Sequence, residues 1–274
     1  MTDGAAGGQA SGGALAKHES TVAMQESTVK ALYQDTAVSE KYIQDRFTWA
    51  WSRHLHRTQV AALNALIGEH RFASILEVAP GPARLTTDLV GVQSGVMVEA
   101  SEAMLSVARD RLKQRGLSAI WDVRHGNAFE LDALGRTFDF AYTFRFIRHF
   151  EERDRRRLYA QLAGRLNLRG LLVFDVVNRP TREAVDRKYG GAPKTELPVY
   201  DVTYLESEFR AEMAANGFEV LSMKPVLRCF LLQAALSYKL QSRIPALADG
   251  LVKALEYVPA KNPLEWIAVC RKIS

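Results

Sequence analysis

From about residue 72 onward, short apolar runs alternate with helical patterns, and this alternation narrows the fold more than any other feature of the chain. The apolar runs are RFASILEV, SGVMVEAS, AIWDVRHG, FDFAYTF, LLVFDVV, FEVLSMKPV and EWIAVCRKI. Between them, PARLTTDLV, SEAMLSVARDRLKQRG, ERDRRRLYAQLAGRLNLRG and VTYLESEFRAEMAANG carry helical periodicity, the third closed by Gly170 as its C′ residue. Runs rich in β-branched and aromatic residues, separated by helix-length segments, predict an α/β fold. Its Rossmann-like, seven-stranded sheet is mostly parallel, with helices on both faces. In such a sheet ligands bind outside the carboxyl ends of the strands. The loops after Glu77, Glu99, Gly126 and Thr143 are therefore expected on one rim.

The chain has 274 residues, 47% of them apolar and 24% charged, which is enough for a packed core. Residues 1–21 are rich in Gly and Ala and predict a flexible tail. Residues 22–70 show helical spacing through Phe47, Trp51, Leu55, Val60 and Leu63, and predict an N-terminal helical lid. Residues 71–274 form the main domain, with a helical insertion at about 228–258.

The stretch SILEVAPGPARLTTDL carries the first chemical signal. An apolar strand ends in Glu77, and the turn after it holds Pro80, Gly81 and Pro82, with few side chains at its tip. Pro82 suits a first helical position, so a helix starting there is expected to aim its N–H groups and positive end into the crevice. Glu77 beside it can hold a cation. A negative group and a positive end within one turn suit a zwitterion better than a pyrophosphate. Glu99 ends the second strand, 22 residues after Glu77, where an acid can accept both hydroxyls of a ribose. Asn127 follows the third strand, and an amide can meet an adenine edge with one donor and one acceptor. Amino acid, ribose and adenine together describe S-adenosylmethionine.

On these residues the sequence resembles the class I S-adenosylmethionine-dependent methyltransferases, in particular the small-molecule branch that includes quinone-ring methylases. The resemblance spans about 72–225 and the terminal strand. The family's acid-x-Gly-x-Gly-x-Gly loop corresponds to Glu77, Val78, Ala79, Pro80, Gly81, Pro82 and Ala83, so two of three glycines are alanine and the middle one is kept. The family's ribose-binding acid corresponds to Glu99 in VEASEAML, which brings in Ala100, Ser101 and Met104. Its adenine element corresponds to Asn127-Ala128, followed by Phe129. FDFAYTFRFIRHF matches the segment under the transferred methyl and includes Thr143, and NLRGLLVFDV matches the turn and strand that usually carry Pro-Gly-Gly. A nicotinamide site would want G-x-G-x-x-G, but Ala79, Gly81 and Arg84 stand at those places. The resemblance also implies that the last two strands pair antiparallel, the final strand running against the sheet.

Methyl transfer to oxygen or carbon needs the acceptor held in line and its proton removed. His149 is the best-placed base, just past the fourth strand, and Arg145 or Arg148 beside it can stabilise a phenolate or carboxylate. In the resembling family a helical segment before the core closes over the cofactor, often with a tyrosine. Tyr33, Tyr42, Arg46 and Phe47 lie in that segment here, and Tyr42 or Arg46 can serve. His54 and His56 are two apart and so point to different sides of a helix; one is expected toward the pocket, and a metal role finds no support. The insertion at 228–258 is apolar on one face and is expected either to wall an apolar pocket or to pair two subunits.

The net charge of +5 is spread along the chain, and RDRLKQR and EERDRRR mix cations with acids or apolar residues as solvated faces do. Nucleic acid is therefore not the expected partner. Cys229 and Cys270, 41 residues apart with no ligand near at metal spacing, read as two buried thiols of a cytoplasmic protein with no metal site. No apolar run reaches the length of a membrane span; GLLVFDVV at 170–177 is broken by Asp175. The expected function is methyl transfer from S-adenosylmethionine to an apolar or aromatic small molecule, at oxygen or carbon. An RNA or protein methyltransferase, and a non-catalytic S-adenosylmethionine-binding protein suggested by Ala79 and Ala83, stand as alternatives.

Overall fold

A computed structural model describes residues 47–189 and 201–273. Tyr33, Tyr42 and Arg46 lie outside the described residues. Helix α1 (Ala50–His70) leads into strand β1 (Ile75–Val78), followed by β2 (Gly95–Glu99), α2 (Glu102–Gln114), β3 (Trp121–His125) and β4 (Phe138–Thr143). The chain continues through α3 (Glu152–Arg165), β5 (Leu166–Asn178), α4 (Arg179–Tyr189), β6 (Thr203–Tyr204), α5 (Glu206–Ala215) and β7 (Phe218–Val226). Helices α6 (Phe230–Leu240) and α7 (Pro245–Ala254) precede the last strand, β8 (Glu265–Lys272).

The strands form one sheet in the order β3-β2-β1-β4-β5-β8-β7, and short β6 pairs with the end of β5 off that path. Pairing is parallel from β3 to β5, whereas β8 runs antiparallel to both of its neighbours. The seven expected strands are all present, and β6 is an eighth. Order reverses between β1 and β4, the switch point where an open α/β sheet leaves a crevice.

Alternation along the buried strands sends side chains to two cores. Ile75, Met97, Phe140, Tyr142 and Val173 face the layer of α1, α2, α6 and α7. Leu76, Val96, Val98, Ala141 and Phe174 face α3 and α5. Gly95 permits a close approach: a Cβ there would stand 2.4 Å from the Trp121 ring of β3.

Three local expectations differ from the structure. PARLTTDLV is a run of turns and a three-residue 3-10 helix, Thr86–Asp88, rather than an α-helix. Ala79, Gly81 and Ala83 take left-handed backbone at φ 53°, 57° and 54°, which breaks helical propagation, and adjacent β-branched Thr86 and Thr87 disfavour its restart. The electrostatic pull of a long helix at this loop is therefore absent. Helix α3 stops at Arg165, and Gly170 lies inside β5 instead of capping the helix. Between Phe138 and Phe140 the pairing partner jumps from Leu166 to Leu171, so 167–170 bulge out of register before the strand settles. Finally, Arg179–Tyr189 is helical without having been read as such; its side chains are largely polar and only Thr181 is buried.

Candidate functional site

At the carboxyl ends of β1, β2, β3 and β4 lies a cavity of about 430 Å³, a size typical of small-molecule sites. The loop after β1 contributes Glu77, Ala79, Pro80, Gly81 and Arg84 to its wall. The end of β2 and the start of α2 contribute Glu99, Ala100, Ser101 and Met104, and the loop after β3 contributes Asn127, Ala128 and Phe129. Arg145 and His149 follow from the segment after β4. Thr143 is not on the wall: it is 1% exposed, inside the sheet. Tyr42 and Arg46 lie outside the described residues.

Both strand-end acids are buried, Glu77 at 3% and Glu99 at 9% exposure. The Gly81 N–H donates to Glu99 Oε2 at 3.0 Å and the Ser101 N–H to Oε1 at 2.9 Å. Glu99 thereby ties the tip of the first loop to the second strand. Ser101 in turn caps α2, accepting from the Met104 N–H. Each carboxylate oxygen accepts about two bonds, so Glu99 retains capacity toward the cavity. Burial pushes its pKa up, against the pull of its backbone donors.

Glu77 is pushed further, to about 7, by complete burial, although the Thr86 hydroxyl donates to it and the Arg84 guanidinium opposes the rise. A carboxylate so desolvated gains from a cation brought into the cavity. At Gly81 a Cβ would meet no atom within 4 Å, so the tip of the loop is open. Two dry acids on neighbouring strands, an open glycine tip and an amide-bearing loop fit an adenosyl amino acid.

Arg84 is held from behind by α1. Its Nη1 lies 2.7 Å from His56 Nδ1, and its Nη2 donates to Gln59 Oε1 at 2.9 Å. His56 Nε2 reaches Asp88 Oδ2 at 2.8 Å. The Arg84 N–H must meet a bare Nδ1, so His56 carries its proton on Nε2 and gives it to Asp88. Burial first, and Arg84 second, lower the His56 pKa, consistent with that neutral form. Neither His54 nor His56 reaches the cavity wall; His54 lies 3.7 Å from Glu256 instead.

On the other side, Arg148 is buried under the rim and does not line the cavity. It donates to Asp201 through Nε (2.7 Å) and Nη2 (3.0 Å), and to Asp175 through Nη1 (3.1 Å), and lies 3.6 Å from Glu265. This removes Arg148 as a group for substrate. Asp175 also accepts from the Arg145 N–H at 2.6 Å, and Arg145 takes left-handed backbone at φ 59°. Asp201 Oδ1 stands 3.4 Å from His149 Nδ1. One buried arginine thus fixes the acids that hold both wall residues after β4.

The supports His56, Gln59, Asp88, Asp175, Asp201 and Glu265 were not expected from sequence. Two of them left a signal there: His56, with His54, as a candidate to face the pocket itself, and Asp175 as an acid interrupting an apolar run. The aromatic wall of Phe144, Phe146 and Phe150 was likewise not singled out. No residue of the 228–258 insertion lines the cavity among the described residues; α6 and α7 pack on α1.

Residues 75–170 match the family model described as a methyltransferase domain. No curated protein matches the chain. The fold is similar to that of magnesium protoporphyrin IX methyltransferase from Synechocystis PCC 6803 with bound SAH. That match has 12% identity and a TM-score of 0.61, covering 90% of this chain and 99% of the other. It is also similar to an O-methyltransferase family protein from Burkholderia thailandensis (12% identity, TM-score 0.55, 80% of this chain and 57% of the other). A third similar structure is the N,N-8-amino-8-demethyl-D-riboflavin dimethyltransferase of Streptomyces davawensis (13% identity, TM-score 0.52, 78% and 53%). The sheet order, the acid-ended strands around one cavity and the family match lead to one assignment: residues 75–170 carry a methyltransferase domain, in a fold similar to that of methyltransferases solved with SAH or SAM bound.

Proposed function

We propose that the acceptor is an apolar or aromatic small molecule, methylated at oxygen or carbon, and that the cavity lined by Glu77 and Glu99 holds the cofactor. The observation that carries this reading is the pairing of two buried carboxylates with an aromatic wall in one chamber. Glu77 would take the amino group, Glu99 the ribose hydroxyls, and Asn127 with the Ala128 backbone the adenine edge. Bound S-adenosylmethionine supplies a methyl group already activated on a sulfonium.

The chain then has to place the acceptor and manage its proton. Phe144, Phe146 and Phe150 offer flat apolar surface. His149, on the same wall and 3.4 Å from Asp201, takes the proton; the carboxylate favours the imidazolium that results. Arg145 stabilises negative charge on the acceptor. Two of the similar structures are named for porphyrin and flavin methylation, and cyclic aromatic acceptors suit such a wall.

Two details weigh against the alternatives. Arg155, Arg156 and Arg157 of α3 are paired with Glu212, Glu152 and Asp154, so three cations of the densest basic stretch are already answered by acids of this chain. The loop with Ala79 and Ala83 keeps left-handed backbone at both positions, the conformation glycine would give.

The test is titration calorimetry with S-adenosylhomocysteine on wild type, Glu99→Ala and Glu99→Gln, followed by a product assay across porphyrin, flavin and phenol acceptors. Loss of two charge-assisted hydrogen bonds, each worth about 1.5–3 kcal/mol, predicts weakening by at least about 100-fold in Glu99→Ala. Unchanged affinity removes the ribose assignment. Tight binding without product from any aromatic acceptor removes the substrate assignment.

A further inference from the structure

A second cavity, about 580 Å³ and open to solvent, shares no wall residue with the first. It runs between α1, which contributes Arg53 and Arg57, and α2 with its C-cap, which contribute Arg111 and Arg115. Among the described residues, Asp88 is the one acid on its wall. Asp249, outside it, pairs with Arg53 at 2.7 Å and stands 3.7 Å from Arg57. Asp88 is shared between His56 at 2.8 Å and Arg115 at 3.6 Å. Among the described residues two carboxylates thus serve four guanidiniums, and one of the two is also engaged by a histidine.

Arg111 shows the imbalance most directly. Its Nη2 donates to the Thr87 hydroxyl at 3.0 Å, a neutral partner, and its buried Nε has no acceptor among the described residues. Burial, and then repulsion from Arg115, depress its pKa against the attraction of Asp88. Like charges crowded in a partly dry groove favour an anion that supplies acceptors to all of them.

We propose that this groove is a binding site for a phosphate-class oxyanion held by Arg57, Arg111 and Arg115. Phosphate offers oxygens on several sides, which suits planar guanidinium forks arriving from two helices; a carboxylate satisfies one fork. The groove has room beyond the ion itself, so the same chemistry can arrive as free phosphate or on a phosphorylated small molecule.

The experiment is titration calorimetry of the full chain with orthophosphate, pyrophosphate, ribose 5-phosphate and acetate, at fixed ionic strength set with chloride. The double variant Arg57→Gln/Arg115→Gln, whose side chains are 62% exposed, is measured beside it with a thermal melt as a folding check. Binding of the phosphate probes at or below about 1 mM, at least about tenfold weaker in the variant and not matched by acetate, is the expected result. Tighter binding of ribose 5-phosphate than of orthophosphate names a phosphorylated ligand; equal binding names the free ion. No phosphate binding by wild type, equal binding by the variant, or acetate binding as tightly as phosphate overturns the proposal.

Discussion

Replacing Ala79 by glycine should make the protein more stable, which is the reverse of the usual effect. Ala79 sits at φ 53°, half-buried, in the turn after β1. An alanine held in left-handed backbone costs about 1–2 kcal/mol, because its Cβ crowds the following carbonyl. Glycine removes that cost and adds about 0.5–1 kcal/mol of chain entropy lost on folding. The net gain is about 0.5–1 kcal/mol, or roughly 1–4 °C in Tm for a chain of this size. Ala61, exposed within α1, is the control. Ala61→Gly should cost about 1 kcal/mol. Urea unfolding of both variants, compared at equal m-value, reads the two signs. If Ala79→Gly destabilises by as much as Ala61→Gly, the loop is not left-handed at residue 79, and the shape of the cavity floor is different from the one described.

Burial raises Glu77 from 4.5 to about 7, so the folded chain holds this proton longer than the unfolded one. Stability without ligand is then fully present below about pH 4.5, falls as pH rises to about 7 and levels off, a drop of roughly 3 kcal/mol at most. Glu77→Gln should flatten this part of the profile and raise Tm at pH 8; an unchanged profile refutes the assignment. His149→Ala should reduce turnover by about 100-fold or more while calorimetry finds S-adenosylhomocysteine bound as tightly as before; normal turnover assigns the proton to another group. Arg148→Met should cost about 3–5 kcal/mol in urea unfolding, because buried Asp175 and Glu265 and half-buried Asp201 lose their shared cation. A loss below about 1 kcal/mol would mean the acids are not held as described.

Strands β1 and β2 were legible because they are apolar on both sides and buried at every position. The acids closing them were legible for the same reason, since Glu77 and Glu99 stand out against such runs. The turn after β1 was not, because side-chain periodicity carries no information about a left-handed backbone at Ala79 and Ala83. Helix α4 was missed because it is short and mostly charged and buries only Thr181, so it offers no run of apolar residues to read. The supports of the site escaped for a different reason. Arg148 meets Asp175, Asp201 and Glu265 across separations of 27, 53 and 117 residues, and His56 meets Arg84 across 28. Spacing along a chain says nothing about such meetings until the topology is known.

Strand β8 lies in the middle of the sheet, between β5 and β7, although the ribosome delivers it after both. Until it arrives, two strand edges stand open on the nascent chain and invite wrong partners. Its first residue, Glu265, meets Gln59 of α1 at 3.3 Å and Arg148 at 3.6 Å, so the scaffolding behind both sides of the ligand chamber is finished by the part of the sheet synthesised last. Clipping a few residues from that strand should therefore disable a chamber whose wall, among the described residues, ends at Phe150.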